Sequence, residues 1–142
     1  MDQIIQFISQ EWLLVSIFIA LLVALLLLTW RERASGAKRI DPQYATMLIN
    51  KEQALVIDLR DNKAFNQGHI VGAKNIPPSR LEQEVKELSK DKSTPIILSC
   101  DMGRISPSSG TLLRKQGFEK VYMLAGGLQN WRAAGLPLTT KN

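Results

Sequence analysis

From Trp12 to Trp30 the chain runs for nineteen residues without a charged side chain, and the stretch is rich in Leu, Ile, Val and Ala. As a helix it would be about 28 Å long, close to the roughly 30 Å hydrocarbon core of a bilayer. Trp12 and Trp30 bracket it at the depth where interfacial aromatic rings sit. A cleaved secretory signal has an apolar region of about 7–15 residues behind a basic start. Here the start carries Asp2 and Glu11, has no Lys or Arg, and no small-x-small site follows the apolar run. The core helix of a soluble domain rarely stays apolar over this length. The stretch therefore predicts one transmembrane helix, residues 12–30, behind a short N-terminal segment, residues 1–11.

Charge sets the expected orientation. All 18 Lys and Arg residues follow Trp30, and Arg31, Arg33, Lys38 and Arg39 stand directly at the membrane exit. The positive-inside rule then places a single-pass chain in the inner membrane, with its C-terminal domain in the cytoplasm and residues 1–11 outside. Residues 31–39 read as a basic juxtamembrane linker, slackened by Ala34-Ser35-Gly36-Ala37 and suited to an anionic inner leaflet. The net charge of +5 is not organised into a basic stripe with interleaved aromatics, so nucleic acid is not an expected partner. A reducing cytoplasm keeps the lone cysteine a thiol. One Cys and one His cannot build a zinc site, and no metal or other cofactor is expected.

Residues 40–142 remain for one domain with a single core. Asp41-Pro42 has the form of a helix start, N-cap then proline, leading through Tyr44, Ala45, Leu48 and Ile49 to about Asn50. Leu55-Val56-Ile57-Asp58-Leu59 is a continuous apolar run of strand length, as in a parallel sheet buried on both faces. A loop-rich stretch follows, with a short strand expected near Ala73–Ile76. Residues 79–90 predict a charged surface helix with Leu81, Val85 and Leu88 on its inner side. Strand 96–99, helix 107–116 closed by Gly117, strand 121–124 and a final helix behind Gly126-Gly127 complete the chain. Alternating strands and helices predict an α/β fold with a mainly parallel central sheet flanked by helices.

The chemistry concentrates at Cys100. It follows the strand Ile96–Ser99, and Ser106-Pro107 six residues on has the form of an N-cap and first helical position. Strand, tight loop and helix leave a side chain at the carboxyl end of the sheet, where reaction sites of open α/β folds cluster. Behind it lie the unpaired N–H groups and partial positive charge of a helix start, which favour the thiolate, the nucleophilic form. The loop Asp101–Ile105 is short enough for several amides to face one anionic centre, with Gly103 supplying a positive φ. Arg104 is the natural cation for that centre, and Asp101 is expected to face solvent. Against this stands the common case of an unpaired cysteine that is simply a small buried apolar residue. His69, the only histidine, could pair with Cys100 for acyl chemistry; its Gly-His-Ile loop setting favours a structural role. Asp58 and Arg60 read as a charge-assisted pair at a strand end.

These residues, taken in order, resemble the rhodanese (sulfurtransferase) family. Asp58-Leu59-Arg60, Phe65, Gly68-His69-Ile70, Gly72-Ala73 and Asn75-Ile76-Pro77 are similar to its D-x-R…F-x-x-G-H-I-x-G-A-x-N-I-P segment. Cys100-x-x-Gly103 with Ser106 resembles its active-site loop, so the resemblance extends the candidate substrate-binding set to Asp101, Met102, Gly103, Arg104, Ile105 and Ser106. Leu113, Gly117-Phe118, Val121, Leu124, Gly126-Gly127 and Trp131 resemble its tail, where the glycine pair and Trp131 would be structural. The likeness covers about residues 38–139 and implies a rhodanese-like domain in which Cys100 takes sulfane sulfur from a small-molecule donor. The resulting persulfide would pass it to cyanide, a thiol or a protein cysteine. The chain departs from the common C-x-x-G-x-R-S loop, since Ile105 stands at the arginine position and Arg104 one place early. That sets against efficient use of an anionic donor such as thiosulfate. The related phosphatase loop, C-x5-R, is disfavoured because Ser106 stands where its arginine would be. Two functions follow as expectations: a membrane-anchored sulfurtransferase, or a catalytically weak module that tethers a protein partner to the membrane.

Overall fold

The computed structural model describes every residue except 34, 35, 89, 106 and 142, and every side chain of those it describes except 7–9, 31–33 and 107. It divides into two units, residues 1–34 and 35–142.

The first unit is helical: α1, Asp2–Gln10, and α2, Trp12–Arg33, are interrupted at Glu11. Between Trp12 and Trp30, α2 is long and apolar enough to cross a membrane, and none of that span is buried within the protein. Its two hydroxyls bond back to their own helix: Ser16 Oγ donates to the Leu13 carbonyl at 2.8 Å and Thr29 Oγ1 to that of Leu26 at 2.9 Å. The two hydroxyls are thus satisfied within the helix itself, as a hydrocarbon surrounding requires.

The second unit is built as β1 Lys38–Ile40, α3 Pro42–Glu52, β2 Leu55–Asp58, α4 Asn62–Asn66, β3 His69–Ile70, β4 Lys74–Asn75, α5 Pro78–Leu88, β5 Ile96–Ser99, α6 Pro107–Lys115, β6 Val121–Leu124, α7 Gly127–Ala133 and β7 Leu138–Thr139. Five strands form one parallel sheet in the order β1-β6-β5-β2-β4. β3 and β7 form a separate antiparallel pair.

The three long apolar runs are central because both of their faces are covered. Ile57, Ile96, Leu98 and Val121 pack with Leu81 and Val85 of α5, Leu113 of α6 and Phe118 on one side. Val56, Ile97 and Leu124 pack with Ala45 and Leu48 of α3 and with Leu128 and Trp131 of α7 on the other. Alternating residues of one strand serve opposite layers, which is why the sequence shows continuous apolarity rather than alternation. Asp41 caps α3, its side chain accepting from the Tyr44 amide at 2.7 Å.

Three assignments change. His69–Ile70, read from the sequence as loop, forms β3 and pairs with Leu138–Thr139 of β7. Lys38 and Arg39, read from the sequence as linker, form the edge strand β1 with Ile40, in register with Tyr122, Met123 and Leu124 of β6. Only Ile40 of the three is buried, so an edge strand of this length leaves no periodic signal. The segment after Asp58 also holds α4, where Asp61 caps the helix by accepting from the Ala64 amide at 2.7 Å.

Candidate functional site

Cys100 follows β5 directly and is half-buried. The parallel register sets Ser99, Asp58 and Asn75 in one row across β5, β2 and β4. Cys100 therefore stands one residue beyond the carboxyl rim of the sheet, where open α/β folds place their reaction sites.

The loop after Cys100 is held from the far side by the start of α7. The Leu128 amide donates to the Cys100 carbonyl at 2.9 Å and the Gln129 amide to the Asp101 carbonyl at 3.1 Å. This approach depends on two glycines with positive φ, Gly103 at 75° and Gly127 at 60°. A Cβ on Gly103 would lie 2.8 Å from the Gly126 nitrogen, and one on Gly127 would lie 2.6 Å from the Gly103 nitrogen. Gly126, also left-handed, turns the chain into α7, and Asn130 Nδ2 closes that turn on the Ala125 carbonyl at 3.0 Å. Trp131 is buried and donates from Nε1 to the Pro137 carbonyl at 3.1 Å, fixing the other end of α7.

With its first two carbonyls drawn toward α7, the loop keeps its donors. Among the described residues, the amides of Asp101 through Ile105 donate to no protein acceptor. Amides left free on a loop that contains a left-handed residue and leads into α6 are donors of the kind that can bind an anion.

The loop side chains divide by exposure. Asp101, Met102 and Arg104 are exposed, and Gly103 is buried. Arg104 takes no salt bridge among the described residues. Ile105 is half-buried and packs against the layer that contains Leu98, Leu113 and Phe118. Ser106, expected as the cap of α6, lies outside the described residues.

The remaining motif residues form a separate, structural cluster. The fully buried Asp58 carboxylate accepts from Arg60 Nε at 3.0 and 3.1 Å, from Nη2 at 2.7 Å and from the Arg60 amide at 3.0 Å. Arg60 Nη2 also reaches the Gly68 carbonyl at 2.7 Å. Asn75 Nδ2 donates to the Arg60 carbonyl at 2.8 Å and to that of Asp58 at 3.2 Å. His69 is buried and stacks on Phe65, ring centroids 3.7 Å apart. Its Nδ1 lies 2.8 Å from the Phe65 carbonyl. A carbonyl only accepts, so Nδ1 carries the proton of that bond. No hydrogen bond or ring contact joins His69 to Cys100 among the described residues, and His69 is committed to the β3 region. No three His, Cys, Asp or Glu side chains converge as a metal site among the described residues.

The amides of Leu128 and Gln129 escape a reading based on side chains, since a backbone donor has no residue identity. The glycine pair before them was their one visible trace.

Comparison with known proteins agrees with this architecture. A family profile for the rhodanese-like domain matches residues 41–134. An uncharacterized Escherichia coli protein, YibN, is 40% identical over 139 residues, covering 97% of each chain. The thiosulfate sulfurtransferase GlpE of Pseudomonas putida is 38% identical over 99 residues, 70% of this chain and 88% of that protein. Among solved structures, a rhodanese-related protein of Thermoplasma volcanium superposes with a TM-score of 0.64 at 26% identity, covering 73% of this chain and 99% of that one. With its parallel sheet, its cysteine loop at the carboxyl rim and its glycine-pinned final helix, the chain belongs to the rhodanese-like domain family.

Proposed function

We propose that this protein is a membrane-anchored sulfurtransferase in which Cys100 carries sulfane sulfur as a persulfide. The observation that carries the reading is the half-buried thiol on a loop whose five amides, Asp101 through Ile105, meet no acceptor among the described residues, while the Cys100 and Asp101 carbonyls are tied to α7.

In the first half-reaction the Cys100 thiolate attacks the outer sulfur of a donor R–S–S⁻. A new S–S bond forms at Cys100, the donor's S–S bond breaks, and RS⁻ leaves with the electron pair and takes up a proton from water. In the second, an acceptor thiolate or cyanide attacks the same outer sulfur and Cys100 leaves as thiolate. Sulfur passes at constant total oxidation level, so no external oxidant or reductant is needed. The loop amides stabilise the terminal anionic sulfur of the persulfide. Ile105 turned into the core and an exposed Arg104 favour polysulfide or thiol-borne persulfide over thiosulfate as donor. The span Trp12–Trp30 anchors the domain to the inner membrane, and the basic residues after Trp30 favour a cytoplasmic face for it.

The test is intact-mass spectrometry of the full chain in detergent after incubation with polysulfide and, separately, with thiosulfate. A gain of one sulfur, removed by cyanide and absent in Cys100→Ser, is expected; transfer that survives Cys100→Ser would overturn the proposal. The packing of Ile105 also suits a second reading, a weakly active domain that holds a protein partner at the membrane. In that case Cys100→Ser would retain the partner as well as the unaltered chain does.

A further inference from the structure

We propose that α1 is an interfacial helix, lying on the surface of the bilayer leaflet that α2 enters at Trp12, with lipid as its occupant. The inference rests on the membrane-anchor reading above.

The two helices of the first unit differ in pattern. α2 is apolar all round between Trp12 and Trp30, as a lipid-embedded helix must be. α1 is one-sided. At about 100° per residue, Met1, Ile4 and Ile5 share one sector, while Asp2, Gln3, Gln6 and Gln10 occupy the opposite half. Ile4 and Ile5 remain 64% and 63% exposed, so the described residues leave that face largely uncovered.

A helix of nine residues is shorter than the roughly 12–15 at which isolated helices become even marginal in water. It therefore needs a surface that takes its apolar side. The nearest one along the chain is already specified: the helix breaks at Glu11, a charge suited to headgroup depth, and Trp12 follows at the interface. Continuity with the span makes lipid, rather than a second protein, the occupant. Asp2 in the first turn suits the positive helix end. The helix has no Lys or Arg, so attraction to anionic headgroups contributes nothing. Its seating depends on the apolar face and on the tether to α2, and salt does not weaken it.

The test uses the full chain on a Cys100→Ser background, reconstituted in phosphatidylcholine–phosphatidylglycerol vesicles. Spin labels are placed singly at Gln3→Cys, Ile4→Cys, Ile5→Cys and Gln6→Cys, with Leu21→Cys as the reference for the span. The expected result is a severalfold higher ratio of oxygen to aqueous nickel-chelate accessibility at positions 4 and 5 than at 3 and 6, not reduced by salt. Equal aqueous exposure at all four would overturn the proposal, as would equal depth at all four, which would make α1 part of the span. Exclusion of both reagents at 4 and 5 would also overturn it, since a protein would then cover the face. An aqueous label at Leu21→Cys would instead remove the anchor reading and the interfacial helix with it.

Discussion

The amide of Leu128 donates to the carbonyl of Cys100 at 2.9 Å, so the first turn of α7 holds the residue proposed as nucleophile through its backbone. The contact is close because Gly127 has no Cβ. Gly127→Ala would drive a methyl group to 2.6 Å from the Gly103 nitrogen and 2.8 Å from the Asp101 carbonyl carbon, at a φ of 60°. The left-handed backbone alone costs about 1–2 kcal/mol for a residue with a Cβ. Gly127→Ala is expected to lower the melting temperature and to slow persulfide formation at least tenfold, while the thiol remains open to alkylation. Wild-type rates of sulfur uptake in that variant would show that the loop does not depend on α7.

Donor choice is expected to turn on position 105. Its isoleucine packs into the core and leaves the loop without an inward cation, while Arg104 stands in solvent. Ile105→Arg should raise kcat/KM for thiosulfate about tenfold, some 1.4 kcal/mol of transition-state binding, and leave polysulfide turnover within twofold. Parallel changes for both donors would argue against a charge effect.

Arg104→Ala separates the guanidinium from the loop amides as the group that binds an anionic donor. If the exposed Arg104 draws anionic donors to the loop, KM for thiosulfate rises several-fold with kcat unchanged. A flat response in steady-state kinetics would leave the loop amides as the whole anion site.

The Asp58–Arg60 pair is a matter of stability. Its side chains are only 1% and 9% exposed, and Arg60 also satisfies the Gly68 carbonyl. Arg60→Met strands a buried carboxylate and should cost about 3–5 kcal/mol in urea unfolding. Asp58→Asn in the Arg60→Met background removes the stranded charge and should recover part of that loss.

His69 offers the opposite test. His69→Phe removes the Nδ1 donor from the Phe65 carbonyl and should cost about 1–3 kcal/mol of stability. Sulfur transfer measured well below the melting temperature should stay within twofold. A loss of turnover without a loss of stability would restore His69 to the chemistry.

Much of the fold was legible because its signals are local. Leu55–Asp58, Ile96–Ser99 and Val121–Leu124 read as strands because burial on both faces demands unbroken apolar runs. Asp41-Pro42 announced α3 because a cap and a proline act on adjacent residues. Asp61 carries a similar signal for α4, but five residues are too few to show a helical period. The one-sided pattern of α1 lies in Asp2, Gln3, Ile4, Ile5 and Gln6, yet the longer apolar run beside it dominates the reading.

The site divides along the same line. Sequence alone determined that a cysteine directly follows a buried strand, that a glycine-bearing loop comes after it, and that a charge-free span precedes the domain, since each depends on neighbours in the chain. Tertiary structure decided the rest. Lys38–Ile40 became a strand only because β6 offers its open edge 84 residues later, and β3 became one only because β7 returns to it. Leu128 and Gln129 acquired their role through backbone amides, which every residue but proline carries alike. Ile105 packs against the core because a left-handed Gly103 and the grip of α7 set the path of the loop, and that grip comes from a segment distant in sequence.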